Sequence, residues 1–546
     1  MKLSWIYLYA AAAAAACNSA EDRSTWCGDY DITTDYTTTV PETNVTREYW
    51  FSIDEVIIAP DGFPRPAIAV NGSVPGPTIY ADWGDNVIVH VTNHLEEVKN
   101  GTSIHWHGVW QKGSNQHDGV VSITQCPTAP GSSMTYSWRA TQYGTSWYHS
   151  HIGLQAWEGV YGGIVVNGPA TANYDEDKGV VILSDWSHRT VDELFLSAQL
   201  NDPPTLDNGL INGTNVYGDG GERFTMDVSE GISYRLRLVN TAIDTHWKFM
   251  IDNHELTVIA MDFVPIVPYT AQFVDIAMGQ RYDLIIHANQ STSETDSFWI
   301  RAIPQAACSE NDSTDNIKGI MHYGQNATIP TTTAYAFNET CNDEPITSLI
   351  PYLPKNVAPA DWSAMTDVTV NRNSDNLFRW YLNSTTLEVS WENPTLLQIY
   401  NDENITASSS TGVIDLPNAN EWIYLLINTS LPVPHPIHLH GHDFSVLAQG
   451  TNPWDGVVNT NNPPRRDTAM LGANGYLLIA FETDNPGAWL MHCHIGWHVA
   501  EGFALQFVER KDEMHNLIDY DSLRDNCASW EAYDVVDDIV QEDSGV

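Results

Sequence analysis

One stretch, His492-Cys493-His494-Ile495-Gly496-Trp497-His498, constrains this chain more than any other. As a strand it rises ~3.3 Å per residue with alternate side chains on opposite faces, so His492 and His494 share a face roughly 6.6 Å apart and Cys493 points the other way. Two imidazoles so spaced suit two metals better than one. A thiolate with two imidazoles is the donor set of a blue-copper electron-transfer site, and Cys493 with His498 supplies two of the three. Three further His-x-His patterns occur: His105-Trp106-His107, His149-Ser150-His151 and His438-Leu439-His440, the last preceded by His435. One such pattern is usually a solvated strand face. Four of them, one with a Cys between its histidines, read as a ligand inventory.

The same segments punctuate a repeat. Alternating strands that end in Asn are expected at 86–93, 234–240 and 422–428. Each is followed by an aromatic or histidine segment, namely His105-Trp106-His107, Thr245-His246-Trp247-Lys248-Phe249, and His435 to His442. Each copy is expected to close on a second strand, at 144–149, 279–283 and 486–492. This reads as three copies of one β domain, the middle one without metal ligands. Short strands bounded by Gly, Pro, Asn and Asp argue for antiparallel β-sandwiches. The expected layout is a signal segment over 1–16 and domains over 17–169, 170–345 and 346–546, with breaks at Asn167-Gly168-Pro169-Ala170 and in the Thr-rich stretch 331–345. Copies one and three hold four of the His-x-His histidines each, so a cluster using all eight must lie where those domains meet. Eight imidazoles suit three metals, while His435, Cys493 and His498 form a mononuclear set inside the third domain.

At 546 residues three domains are the natural division. Lysine and arginine number 24 against 69 acidic residues, a formal charge of -45, which argues against nucleic acid or an anionic membrane as partner. The chain is nonetheless 42% hydrophobic with 20 tryptophans, so it folds. Lys2 followed by an apolar run over 5–16, too short to span a bilayer comfortably, reads as a secretory signal. Eleven Asn-x-Ser/Thr sequences fit an exported glycoprotein. Of seven cysteines, Cys493 goes to copper and six remain to pair in an oxidising compartment. Signal cleavage before Cys17 keeps that number even and allows Cys17 to pair with Cys27; the connectivity of the six stays open.

The runs Thr102-Ser103-Ile104-His105-Trp106-His107-Gly108, Tyr143-Gly144-Thr145-Ser146-Trp147-Tyr148-His149-Ser150-His151, Pro463-Pro464-Arg465-Arg466-Asp467 and Asp484-Asn485-Pro486-Gly487-Ala488-Trp489 make the chain resemble the multicopper oxidases, most closely the ascomycete fungal laccases, over nearly all its mature length. The resemblance implies an all-β fold of three cupredoxin-like Greek-key β-sandwiches and four copper ions. It also implies oxidation of phenolic reductants coupled to reduction of dioxygen to water. By position it puts type 1 copper on His435, Cys493 and His498, and type 2 on His105 and His438. The type 3 pair falls on His107, His149 and His494, and on His151, His440 and His492. It implies disulfides Cys126–Cys527 and Cys308–Cys341, and an axial position at Phe503, where these laccases usually carry Leu. Phe503 offers no weak fourth ligand, which disfavours Cu(II) and raises the potential. Asp244 is implied as acceptor of the phenolic proton and Trp497 as a pocket aromatic beside His498, with Asp118 helping to supply protons to the cluster. The ending Asp543-Ser544-Gly545-Val546 is similar to the tail that enters the channel toward the trinuclear site in those enzymes. Rival readings are a ferroxidase, an ascorbate oxidase, or a catalytically silent copper-binding protein. A monomer is the expectation.

Overall fold

The computed structural model describes residues 18–96, 100–290, 295–324, 328–406, 409–537 and 541–546. The expected signal segment and Cys17 lie outside them; Cys27 is a disulfide cysteine. The chain forms three successive two-sheet units. In the first, strands Thr46–Ile58, Arg65–Val70, Asn86–Asn93 and Ser133–Arg139 face a sheet of Gly76–Asp82, Tyr161–Asn167, Gly144–His149 and His105–Trp106. The second and third each pair a six-stranded with a five-stranded sheet.

The sheets are mixed rather than antiparallel throughout. Thr46–Ile58 runs parallel to Asn86–Asn93, Glu176–Trp186 to Ser233–Asn240, and Trp362–Arg372 to Trp422–Thr429. The reason is topological: two parallel neighbours need a crossover, and in the first unit it passes through Gly76–Asp82 in the opposite sheet.

Two details of the repeat are also corrected. The buried strand end is Asn93 in the first unit and Asn240 in the second, each accepting the N–H two residues on, Leu95 at 2.8 Å and Ala242 at 2.9 Å. In the third it is Thr429, which accepts Leu431 N–H at 3.1 Å, so the equivalence falls one residue beyond Asn428. A one-residue step changes the face, and Asn428 points outward to Asp367. The middle unit's counterpart of Gly144–His149 and Gly487–Cys493 is Ser297–Pro304, which pairs with Trp247–Ile251. The expected 279–283 segment instead enters Arg281–His287 in the other sheet. Without histidines, the true counterpart had no signal.

Burial follows position. Asn86–Asn93 and Trp422–Thr429 alternate between buried and partly exposed, whereas every residue of Ser233–Asn240 is buried. That strand has its second face against the first unit: Arg237 donates to Gly144 O at 3.1 Å and Thr145 Oγ1 at 3.0 Å. A terminal helix, Tyr520–Asp537, carries Trp530 and Cys527 back to the first unit, where Cys527 is bonded to Cys126. A second disulfide joins Cys308 and Cys341.

Candidate metal centres

His435 opens the strand His435–Leu439, Cys493 closes the neighbouring strand Gly487–Cys493, and His498 sits in the short helix Gly496–Ala500 that follows. Antiparallel pairing of Ile437 with Cys493 and the turn into the helix bring the three together. Cys493 Sγ lies 3.5 Å from His498 Nδ1 and 3.8 Å from His435 Nδ1, and the two Nδ1 atoms are 3.2 Å apart. All three side chains are buried. Burial lowers His435 to about 3 and His498 well below the ordinary histidine range, so both rings are neutral and can offer lone pairs. Three donors converging in an apolar setting suit one soft or borderline cation. Phe503 lies beside the site, its ring 5.0 Å from that of His435, and brings no donor.

The eight histidines of the His-x-His patterns meet between the first and third units, four from each. His107 stacks on His438 with ring centroids 3.9 Å apart, His105 meets His440 at 4.0 Å, His107 meets His494 at 5.1 Å, and His151 meets His492 at 5.3 Å. Six of them have one nitrogen held: Nδ1 of His105, His149, His438 and His492 donates to the carbonyls of Asp118, Ser150, Asp467 and Cys493 at 2.8–2.9 Å. His440 Nδ1 donates to Asp118 Oδ2 at 2.9 Å, and His107, oriented the other way, donates through Nε2 to Asp467 Oδ1 at 3.1 Å. Their other nitrogens, Nε2 of His105, His149, His438, His440 and His492 and Nδ1 of His107, have no hydrogen-bond partner, and His494 has none at either. Stranding so many buried acceptors would be costly in a protein meant to stay metal-free. Fixing one nitrogen by a hydrogen bond so that the other points at a metal is the usual device of a histidine ligand. The residues fit copper.

The ligand-atom groupings are His151 with His440 and His492, His105 with His438 and His440, His105 with His107 and His149, and His107 with His438 and Asp467. The first is one expected type 3 set. The other expected set, His107, His149 and His494, is gathered with ring centroids 5.1–5.9 Å apart.

Asp118 is fully buried and serves two ligands at once, through its carbonyl and its carboxylate. Asp118 also stands before a turn glycine: Gly119 has φ +83°, and a Cβ there would lie 1.8 Å from Ile104 O. Asp467, which sequence reading noted only as part of a motif, holds His107 through Oδ1 and His438 through its carbonyl. Arg281 of the middle unit grips both its oxygens at 2.6 Å. Burial would raise Asp467, but Arg281 and His107 hold it well below the usual carboxylate range. Gly279, two residues before Arg281, also has positive φ, and a Cβ there would meet the His494 ring at 2.8 Å. The unit without ligands thus presses backbone and a guanidinium against the cluster.

Asp244 lies on a turn built by Asp185, whose carboxylate accepts the N–H groups of Ile243, Asp244 and Thr245 at 2.9–3.1 Å and the Thr245 hydroxyl at 2.9 Å. Ile243 O in turn accepts Gly496 N–H at 2.9 Å, joining this turn to the Cys493–His498 loop. Burial and the nearby Asp185 push Asp244 up to about 7. Trp497 is 1% exposed and packs in the core with Cys493 and Phe503. Trp380, unremarked in the sequence, has its ring 4.2 Å from that of His498. His442 pairs with Glu509 at 3.0 Å; His117, half-buried, makes no ligand contact. Asp543 to Val546 packs back onto the fold: Ser544 donates to Val499 O, next to His498 in the chain, at 2.8 Å, and Ser122 donates to Gly545 O at 2.6 Å.

Family models described as multicopper oxidase match residues 52–171, 177–326 and 370–513. The chain belongs to the multicopper oxidases. This multicopper oxidase is 47% identical to Laccase-2 of Botryotinia fuckeliana over 98% of its own length and 94% of that protein. The crystal structure of a laccase from Botrytis aclada superposes with TM-score 0.93 at 45% identity, covering 97% of this chain and all of that one. Fet3p, a multicopper oxidase that functions in iron import, superposes at TM-score 0.80 with 27% identity, over 89% and 95% of the two chains. Among multicopper oxidases, then, the chain is of the laccase type. No helix among the described residues is long and apolar enough to cross a membrane.

Proposed function

We propose that this multicopper oxidase is a secreted laccase that removes single electrons from phenols at the His435, Cys493 and His498 site and reduces dioxygen at a cluster held by the other eight histidines. Four coppers are assigned: type 1 on those three residues, type 2 on His105 and His438, and the type 3 pair on His107, His149 and His494 and on His151, His440 and His492. The observation that carries this reading is the pair of donor sets joined through one strand end, where His492 and His494 flank Cys493. Bound copper would supply one-electron redox chemistry at the first set and dioxygen binding at the second. Four phenols, each losing one electron and one proton, balance one dioxygen reduced to two waters.

The protein's own groups manage the protons. Asp244, as carboxylate, accepts the phenolic proton as the electron leaves, which avoids a radical cation. Asp118 is placed to help supply protons to the cluster, its Oδ2 on His440 Nδ1 at 2.9 Å and its Oδ1 3.2 Å from His105 Nδ1. Asp467 is held anionic by Arg281 and keeps His107 and His438 oriented.

Oxygen uptake by the copper-loaded protein with a dimethoxyphenol, Fe(II) and ascorbate, corrected for spontaneous oxidation, tests the reading. Preference for the phenol supports it. Preference for Fe(II) would move the chain to the ferroxidases, and no uptake with any donor would leave a silent copper protein.

A further inference from the structure

Trp380 covers the His435, Cys493 and His498 site. Its ring is 4.2 Å from that of His498 and 4.9 Å from that of His435, and it stacks on Phe503 at 5.5 Å with 24° between planes. One indole therefore lies over both imidazoles and the axial phenyl ring. It is mounted on Phe378–Leu382, the edge strand of its sheet, paired on one side only. An edge strand is a loose support for a wall.

Glu501 supplies the missing grip. Its carbonyl accepts the Trp380 main-chain N–H at 3.0 Å and its Oε2 accepts the indole N–H at 3.1 Å. Glu501 also ends the helix that carries His498, its own N–H donating to Trp497 O at 3.0 Å. The residue that terminates the His498 helix thus holds the ring that covers His498. Packing alone does not demand such a partner, because the buried indoles of Trp106, Trp147, Trp247 and Trp497 make no hydrogen bond. A carboxyl group at 4% exposure is costly to bury and needs a reason. Burial pushes Glu501 up to about 8 against the indole hydrogen bond and Arg379.

We propose that Glu501 is a positioning residue for type 1 copper: through Trp380 it holds an apolar wall over both imidazoles, excludes water from them, and so keeps the reduction potential high. The inference rests on the reading that His435, Cys493 and His498 hold copper. A dry, low-dielectric shell disfavours the more highly charged Cu(II), and a tilted indole would admit water and lower the potential.

The test is a redox titration, with the visible thiolate-to-copper charge-transfer band, on the copper-loaded full chain and its variants Glu501→Gln, Glu501→Leu and Trp380→Phe. Gln still accepts the indole hydrogen bond and is expected to keep both potential and band. Leu is expected to lower the potential and displace the band, and Trp380→Phe, which lacks the N–H, to do the same. Adding Glu501→Leu to Trp380→Phe should then change nothing further, a comparison that stands even if the single Leu variant fails to fold. Wild-type potential and band in Glu501→Leu, or an additive shift in the double variant, would overturn the proposal. A wild-type protein without the band would overturn the copper reading itself, and this inference with it.

Discussion

The outer sandwiches and the middle one present the same hairpin with different side chains. In the first unit His105 lies opposite His149, and in the third His438 lies opposite His492. In the middle, Trp247 lies opposite Pro304, and Gln305 donates its N–H to His246 O at 3.0 Å. The position of the second histidine is taken by Lys248, fully buried, ion-paired with Asp275 and lying under the Phe273 ring at 4.1 Å. His246 remains, but its Nε2 is spent on Asn342 O at 3.2 Å. The residue after each outer His-x-His is Gly, which lets Asp467 and Arg281 approach Gly108 and the Trp489 ring approach Gly441; the middle copy has Phe249 there. A hairpin backbone alone therefore does not make a metal site. Donors must converge from two hairpins with their outward nitrogens restrained, and the middle unit has traded donors for an ion pair and for clamps on its neighbours' donors.

The sharpest way to break the comparison is to take a donor from an outer hairpin. Cys493→Ser should abolish the visible charge-transfer band and donor oxidation together while the fold survives, since Ser is nearly isosteric; a retained band by absorption spectroscopy would show that the thiol is no ligand. Next come the contributions of the ligand-free unit. Asp244→Asn should slow phenols by about 10²–10⁴-fold, the usual worth of a general base, and leave a non-protic electron donor of equal driving force unchanged. The sign with pH follows from the raised Asp244: the base is the ionised form, so phenol oxidation should decline as pH falls through about 7, and the non-protic donor should lack that limb. A cation at Cys493 would draw the limb to lower pH without changing its sign.

Smaller again, Arg281→Lys keeps the charge but loses the two-pronged hold on Asp467. It should weaken copper retention by about 10–100-fold, read as copper per protein after dialysis against a chelator. The smallest effect is expected where the middle hairpin is purely structural. Replacing the buried pair with Lys248→Met and Asp275→Leu together should leave copper content unchanged and the melting temperature nearly so, because exchanging a buried ion pair for packed apolar groups is often neutral or stabilising. Copper loss from that double variant would mean that the middle hairpin supports the cluster after all.

The candidate donors were legible because histidine and cysteine at strand spacing have few other reasons to recur. The repeat was legible where alternation or histidines marked it, at Asn86–Asn93 and Gly487–Cys493, and was misread where neither did, at Ser297–Pro304. The disulfides Cys126–Cys527 and Cys308–Cys341 agree with what the resemblance implied. Asp467, Arg281, Asp185 and Glu501 were not singled out, because an isolated charged residue in sequence carries no sign of whether it will be buried. Each gains its role from partners remote in sequence: 186 residues separate Arg281 from Asp467, and 121 separate Trp380 from Glu501.

What the sequence determined by itself was the donor inventory and its local pairing, since a strand's period of two decides which neighbouring side chains share a face whatever the strand later packs against. It also carried the count of domains, through the recurrence of alternating strands. Only the tertiary structure decided which imidazoles have one nitrogen restrained and the other free, how far the donors stand from one another, and which buried charges hold them. The carbonyls that hold His105, His149, His438 and His492 come from the same unit, but the carboxylates of Asp118 and Asp467 that hold His440 and His107, and the Arg281 guanidinium, are brought in from other domains, and that geometry exists only once the three units have packed.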